Sequence, residues 1–187
     1  MQINHTTLEV VRASALDVEA QAIVNAANTS MRGGGGIDGA IHSRAGRALL
    51  DELELVAPQG ARTGEVVVTQ GHRLPHEYVF HVAGPVWKES RAAQCDAELE
   101  SAYRNALSEA DTRRLKTIVL PSISTGIYAF PLSRAAGIAL NTAVAFLQSH
   151  PDTSLEWVTF AMWGGEEHHV FRRALDTLES KLNHEHA

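Results

Sequence analysis

The sequence predicts an α/β fold in three layers, with helices on both faces of a mixed, mostly parallel sheet, and three features carry the prediction. Short β-branched or aromatic runs alternate with amphipathic helical stretches from end to end. Two of the apolar runs pass straight into glycine-rich or small polar loops that lead into helices, as strands of an open α/β sheet do. No internal repeat or Pro/Gly/Ser-rich linker divides the 187 residues. They are therefore expected to form one domain, with a core over about residues 3–182 and a polar tail at 183–187.

In chain order, residues 3–11 alternate in part and read as a strand, and residues 22–25 as a short buried strand ahead of a glycine cluster. Residues 39–55 read as a helix. Beyond the break at Pro58-Gln59-Gly60, residues 65–70 and 78–83 read as strands around the turn-like segment 71–76, and two strands in succession make the sheet mixed. Across residues 92–110, Leu99, Ala102, Tyr103, Ala106, Leu107 and Ala110 fall on one helix face. Residues 117–121 form a short apolar strand, and a second helix starts near Pro131, where proline suits a first helical turn. A strand over residues 155–162 precedes a last amphipathic helix marked by Val170, Phe171, Ala174, Leu175, Leu178 and Leu182.

Composition excludes several classes of function. With 44% apolar and 20% charged residues the chain has globular rather than disordered composition. Sixteen basic against twenty-two acidic residues give a net charge of -6, which argues against a broad surface for nucleic-acid phosphates. The single Cys95 excludes an internal disulfide or a multi-thiolate zinc site, and it reads as a half-buried helix residue in a reducing compartment. No apolar run approaches the roughly 18 residues of a membrane span, and the amino terminus lacks a secretory pattern, so a cytoplasmic location is expected. Ten histidines raise the question of a metal. His168 and His169, however, are adjacent and would diverge by about 100° on a helix. No metal and no organic cofactor is expected.

The chemistry concentrates in two loops. Gly33-Gly34-Gly35-Gly36 follows a strand and precedes a helix, an arrangement that lets backbone N–H groups approach an anion, although a flexible turn uses glycines too. No Lys-Ser or Lys-Thr follows, which disfavours a P-loop, and the run does not match GxGxxG with a usable acidic residue beyond it. A Ser-His-Asp esterase built on Ser122 or Ser124 lacks the G-x-S-x-G elbow. The second loop, Ser122-Ile123-Ser124-Thr125-Gly126-Ile127-Tyr128-Ala129-Phe130-Pro131, also joins a buried strand to a helix. Two such loops at strand ends are expected to face one crevice and to hold a diphosphate-containing ligand.

Several ordered stretches resemble one family. Ile23-Val24-Asn25-Ala26-Ala27-Asn28 followed by Gly33-Gly34-Gly35-Gly36-Ile37-Asp38-Gly39-Ala40-Ile41-His42 is similar to the first signature of MacroD-type macrodomains. Thr63-Gly64-Glu65, His81-Val82-Ala83-Gly84-Pro85-Val86-Trp87 and residues 121–131 continue the likeness over nearly the whole chain. The resemblance implies a macrodomain fold with an ADP-ribose pocket. It also implies hydrolysis at the distal ribose, either removing mono-ADP-ribose from acidic side chains or deacetylating O-acetyl-ADP-ribose. Free ADP-ribose, ADP-ribosylated proteins and O-acetyl-ADP-ribose are then the expected partners of a monomer, with no membrane and no general nucleic-acid binding.

Carried over by position, Asn28 would hold a distal-ribose hydroxyl, and Asp38 would orient or activate the attacking water. Free aspartate is a weak base near neutrality, so positioning is expected to outweigh proton abstraction. Without the family spacing Asp38 would read as a helix cap. Ser124, Thr125, Gly126, Ile127 and Tyr128 should wrap the diphosphate, with Gly35, Gly36 and Ile37 on its other side. Tyr128 or Phe130 should cap the distal ribose, core packing being their alternative, and Ile23, Asn25 and Ala26 are the remaining ligand-binding candidates of the first signature. His42 lies one helical turn past Asp38 and is expected to pack or hydrogen-bond there.

Two positions depart from the family pattern. Where a Gly-Asp-Ile-Thr stretch usually supplies a carboxylate to the adenine amino group, this chain has Ala13-Ser14-Ala15-Leu16, so Ser14 replaces it at a cost of about 1 kcal/mol, with Asp17 nearby as a substitute. Ala129 stands where a glycine is usual, at a position that favours positive φ. Trp163 follows the last strand and is expected either to stack on adenine or to fill the core. The rival expectation is a non-catalytic module for ADP-ribose or another nucleotide derivative.

Overall fold

The computed structural model describes residues 1–185, and the fold rests on one seven-stranded sheet. In chain order its strands are β1 (Gln2–Ile3), β2 (Thr6–Arg12), β3 (Ala22–Ala27), β4 (Val66–Gln70), β5 (Tyr78–Ala83), β6 (Thr117–Leu120) and β7 (Trp157–Met162). They lie in the order β1-β2-β7-β6-β3-β5-β4. The five central strands are parallel, and β1 and β4 close the two edges antiparallel. The carboxyl ends of β2, β7, β6, β3 and β5 thus open along one side of the sheet, where an α/β protein builds its crevice.

The helices are α1 (Gly36–Ala45), α2 (Arg47–Val56), α3 (Ala92–Thr112), α4 (Leu132–Ser149) and α5 (Gly165–Glu185). Helices α3, α4 and α5 cover one face through a large apolar cluster. Rings from three elements meet within it: Tyr103 of α3, Phe160 of β7 and Phe171 of α5, with centroids 5.7 and 6.0 Å apart. All three rings are fully buried, each worth about 1.5–3 kcal/mol of transfer free energy. Helices α1 and α2 cover the other face over smaller clusters around Ile41, Leu49 and Leu53. Alternation along the strands divides the layers, since Ala22 and Val24 face the large cluster while Ile23 faces α1.

The sheet is mixed and three-layered as predicted, and the differences have local causes. The strand expected at 3–11 is a tight hairpin, broken at Asn4, which takes φ 52°. The helix expected at 39–55 is two helices, because Gly46 at φ 87° ends α1 and starts α2. Helix α1 also begins three residues early, at Gly36. The tail expected at 183–187 continues α5 as far as residue 185, and residues 186–187 lie outside the described part. Cys95 is fully rather than half buried, on α3, with its Sγ 3.6 Å from the Val86 carbonyl. Among the described residues no helix is long and apolar enough to cross a membrane.

Candidate functional site

A cleft of about 810 Å3 runs along the carboxyl ends of the parallel strands, within the range of small-molecule sites. Its walls are the β3–α1 loop, the β6–α4 loop, the short 3-10 turn Ala15–Asp17 after β2, and Trp163 after β7. Asn28 and Asp38 lie beyond β3, Ser14 and Trp163 beyond β2 and β7, and the β6–α4 loop lies between. An elongated ligand with an anionic middle fits this order.

The middle of the cleft is rich in unsatisfied donors. The amides of Ser124, Thr125, Gly126, Ile127 and Tyr128 donate to no protein acceptor among the described residues, and the same holds for Gly34, Gly35, Gly36, Ile37 and Asp38 at the start of α1. Two rows of backbone N–H groups, one of them at a helix N-terminus, make an anion site without any lysine. The lining arginine, Arg44, is already paired with Asp17 at 3.0 Å.

The β6–α4 loop is held from several directions. The buried Tyr103 hydroxyl donates to the Pro121 carbonyl at 3.1 Å and accepts from the Ile123 amide at 2.9 Å, while burial raises its pKa. Ser122 Oγ meets Thr125 Oγ1 at 2.6 Å, and the Phe130 amide donates to the Ser124 carbonyl at 2.9 Å. Ser124 and Ala129 take φ of 67° and 57°, so the loop carries two non-glycine residues in the left-handed region, each at a cost of about 1 kcal/mol. The strain expected at Ala129 is present.

At the β3 end, Asp38 is 3% exposed in the first turn of α1, but Gly35 is the N-cap and Asp38 is not. Its Oδ1 accepts from Asn25 Nδ2 at 2.8 Å, and His42 Nε2 stands 3.3 Å away, off the line that a hydrogen bond needs. Asp38 Oδ2 accepts nothing from the described residues and flanks Gly34, as does Asn28 Nδ2: a Cβ on Gly34 would stand 3.1 and 3.2 Å from the two atoms. Asn28 is fixed by its own loop, donating to the Gly33 carbonyl at 3.0 Å and accepting from the Ser30 amide and hydroxyl. One Nδ2 hydrogen of Asn28 is left for a ligand.

Beneath Asp38 lies a buried polar row that the sequence did not announce. Asn25 Nδ2 also meets His81 Nδ1 at 3.0 Å, and His81 Nε2 meets Thr69 Oγ1 at 3.0 Å. Burial, aided by the nearby His42, pushes the His81 pKa down to about 3 against the pull of Asp38. Burial also lowers His76, which is held by the Val18 carbonyl at 2.9 Å. Both groups ionise more readily in the unfolded chain, where histidine titrates near 6.5. Their contribution to stability is therefore complete above about pH 6.5 and is lost as pH falls below it; for His81 the loss continues toward pH 3, on the order of 1 kcal/mol per pH unit. The melting temperature is expected to drop by several degrees between pH 7 and pH 5 in a calorimetric scan, and a flat profile would contradict the burial of these neutral rings.

Most of the residues singled out in the sequence line the cleft: Ser14, Ala26, Asn28, Gly35, Gly36, Ile37, Asp38, the run from Ser124 to Tyr128, and Trp163. Three do not. Ile23 is fully buried against α1, Asn25 is buried beneath Asp38, and Phe130 is a core residue packed on Trp87 with ring centroids 4.7 Å apart. Ile23 and Asn25 lie two residues apart on β3 and so share the face of the sheet turned to α1, whereas Phe130 leaves the cleft through the turn of its loop. Tyr128 is half-buried at the wall, and Trp163, 74% exposed on the rim, is no core residue. Ser14 Oγ accepts from the Leu16 amide at 3.3 Å as the cap of the 3-10 turn, leaving its own O–H to donate. The sequence reading missed Gly34, Gly84, Arg44 and Glu167 of the lining.

Comparison with known proteins agrees with this geometry. The Macro domain family matches residues 24–139, more than half of the chain. An O-acetyl-ADP-ribose deacetylase of Salmonella newport is 39% identical over 170 residues, 90% of this chain and 93% of that protein. The Oceanobacillus iheyensis macrodomain, solved with ADP, superposes with a TM-score of 0.90 at 36% identity, covering 97% of this chain and 96% of its own. A Trypanosoma brucei macrodomain solved with ADP-ribose gives a TM-score of 0.82 at 38% identity, covering 90% of this chain and 68% of the other. The chain belongs to the Macro domain family.

Proposed function

We propose that the cleft binds ADP-ribose and that the protein hydrolyses esters on the distal ribose, deacetylating O-acetyl-ADP-ribose and releasing mono-ADP-ribose from aspartate and glutamate side chains. The observation that carries this reading is a buried carboxylate with one oxygen fixed and the other free, beside two facing rows of amide donors. The Salmonella relative bears the name of the first activity, and the trypanosomal structure holds the ligand.

The amides of residues 34–38 and 124–128 bind the diphosphate as charge-assisted donors. The distal ribose then lies at the β3 end, where the spare Nδ2 hydrogen of Asn28 binds a ribose hydroxyl. Asp38 Oδ2 orients a water toward the ester carbonyl carbon. A new carbon–oxygen bond forms there, the bond from the acyl carbon to the ribose oxygen breaks, and acid and ribose hydroxyl separate. The fixed Oδ1 holds the carboxylate in place for this task.

The test is a time course of the purified protein with O-acetyl-ADP-ribose and with a peptide carrying a glutamate-linked ADP-ribose. Release of ADP-ribose from both supports the reading, and tight binding without release would make the protein a reader of the modification. The base end carries a further prediction. Ser14→Asp should tighten ADP-ribose binding about fivefold in calorimetry, since a charge-assisted contact to the adenine amino group is worth about 1 kcal/mol more than a neutral one. An unchanged affinity would mean that the base does not reach Ser14.

A further inference from the structure

Strand β5 lies between β3 and β4, with His81 in register with Asn25 on one side and Val67 on the other. The two-residue period puts His81, Asn25 and Thr69 on the α1 side of the sheet, all of them fully or almost fully buried. Asn25 Nδ2 can only donate, so His81 Nδ1, 3.0 Å away, must be the bare acceptor of the ring. The ring proton is then on Nε2 and is donated to Thr69 Oγ1, whose own hydroxyl goes on to the Gln70 carbonyl at 3.1 Å. Both hydrogens of the Asn25 amide are thereby committed, one to His81 and one to Asp38 Oδ1. Turning the amide over would place Asn25 Oδ1 against the carboxylate and against the bare ring nitrogen. The observed orientation instead leaves Oδ1 buried without a partner.

We propose that His81, held in its Nε2–H form by Thr69, is a positioning residue that acts through Asn25 to fix the Asp38 carboxylate and so keep Oδ2 turned to the cleft. The proposal rests on the hydrolase reading for its kinetic consequence, but the tautomer and the hydrogen-bond order stand apart from it. The groups facing the ring are Thr69 from β4, Asn25 from β3, and Asp38 and His42 from α1, the His42 ring lying 6.2 Å away between centroids. A charged His81 would present Nδ1–H to the Asn25 amide hydrogens and break the row.

The experiment compares His81→Asn, which puts a carbonyl oxygen where Nδ1 was, with His81→Leu, which removes the acceptor. Both lose the bond to Thr69 and should lose similar stability. His81→Leu is expected to lower kcat at least tenfold with ADP-ribose affinity changed less than threefold, His81→Asn to keep most of kcat, and His81→Leu to add nothing in an Asp38→Ala background. Equal activities of the Asn and Leu variants, or the same loss with and without Asp38, would overturn the proposal. Should His81→Leu fail to fold, Thr69→Val is the second variant, with a kcat loss of about threefold and unchanged affinity expected. Two-bond proton–nitrogen spectra of the wild-type imidazoles give a readout that needs no turnover. A neutral Nε2–H ring at His81 from pH 5 to 8 is expected, and an Nδ1–H ring or an imidazolium would sink the idea even in an active enzyme. If the wild type hydrolyses nothing while the spectra show the Nε2–H ring, the hydrolase reading fails and the tautomer lock stands.

Discussion

Asp38→Ala is expected to lower turnover of O-acetyl-ADP-ribose at least about 100-fold while ADP-ribose still binds, in line with the cost of losing the group that positions the attacking water. The donors proposed for the diphosphate are backbone amides, so they survive the substitution. The variant should also fold. It gives up a buried carboxylate and leaves one Asn25 hydrogen unpaired, a change of about 1–3 kcal/mol. Circular dichroism and a melting curve check the fold, and a kcat within twofold of wild type would remove Asp38 from the chemistry.

Gly84→Ala should weaken ADP-ribose binding about 10- to 100-fold without touching a catalytic group. Gly84 follows β5 and lies against the β6–α4 loop, where an added Cβ would stand 2.2 Å from Ser124 Oγ and 2.4 Å from Ile123 Cγ2. The hydroxyl could turn aside, but Ile123 is fully buried in the large core cluster and Ser124 already occupies φ 67°. The loop must shift, and its five amides would then meet the diphosphate out of line. Charge-assisted bonds of about 1.5–3 kcal/mol each make the loss of even one equivalent to the stated range. Calorimetric titration measures it, and wild-type affinity would mean that the loop does not hold the ligand.

The layer order and most elements were legible because each strand and helix carries its own period, as in the face of α3 built from Leu99 to Ala110. The interruptions were not. Gly46 ends α1 inside a stretch whose apolar spacing continues, and Asn4 turns the chain within a single alternating run. The cleft lining was legible where motif and backbone coincide, since the backbone of a loop at a strand end lines the cleft whatever its side chains do. Direction was harder: Ile23, Asn25 and Phe130 share motifs with lining residues, yet are buried away from the cleft, the first two because the strand period turns them toward α1 and Phe130 because its loop folds the ring onto Trp87. His81 stood in a motif without a role for the same reason. Its partners Asn25 and Thr69 lie 56 and 12 residues away in sequence and become neighbours only when β5 inserts between β3 and β4.

The most direct test of the account is a calorimetric titration of the wild-type protein with ADP-ribose, repeated with Gly84→Ala. The account predicts one ligand per chain for the wild type and at least tenfold weaker binding for the variant. No heat of binding with the wild type, or equal affinities for the two proteins, would contradict the assignment of the diphosphate to the amide rows of the cleft.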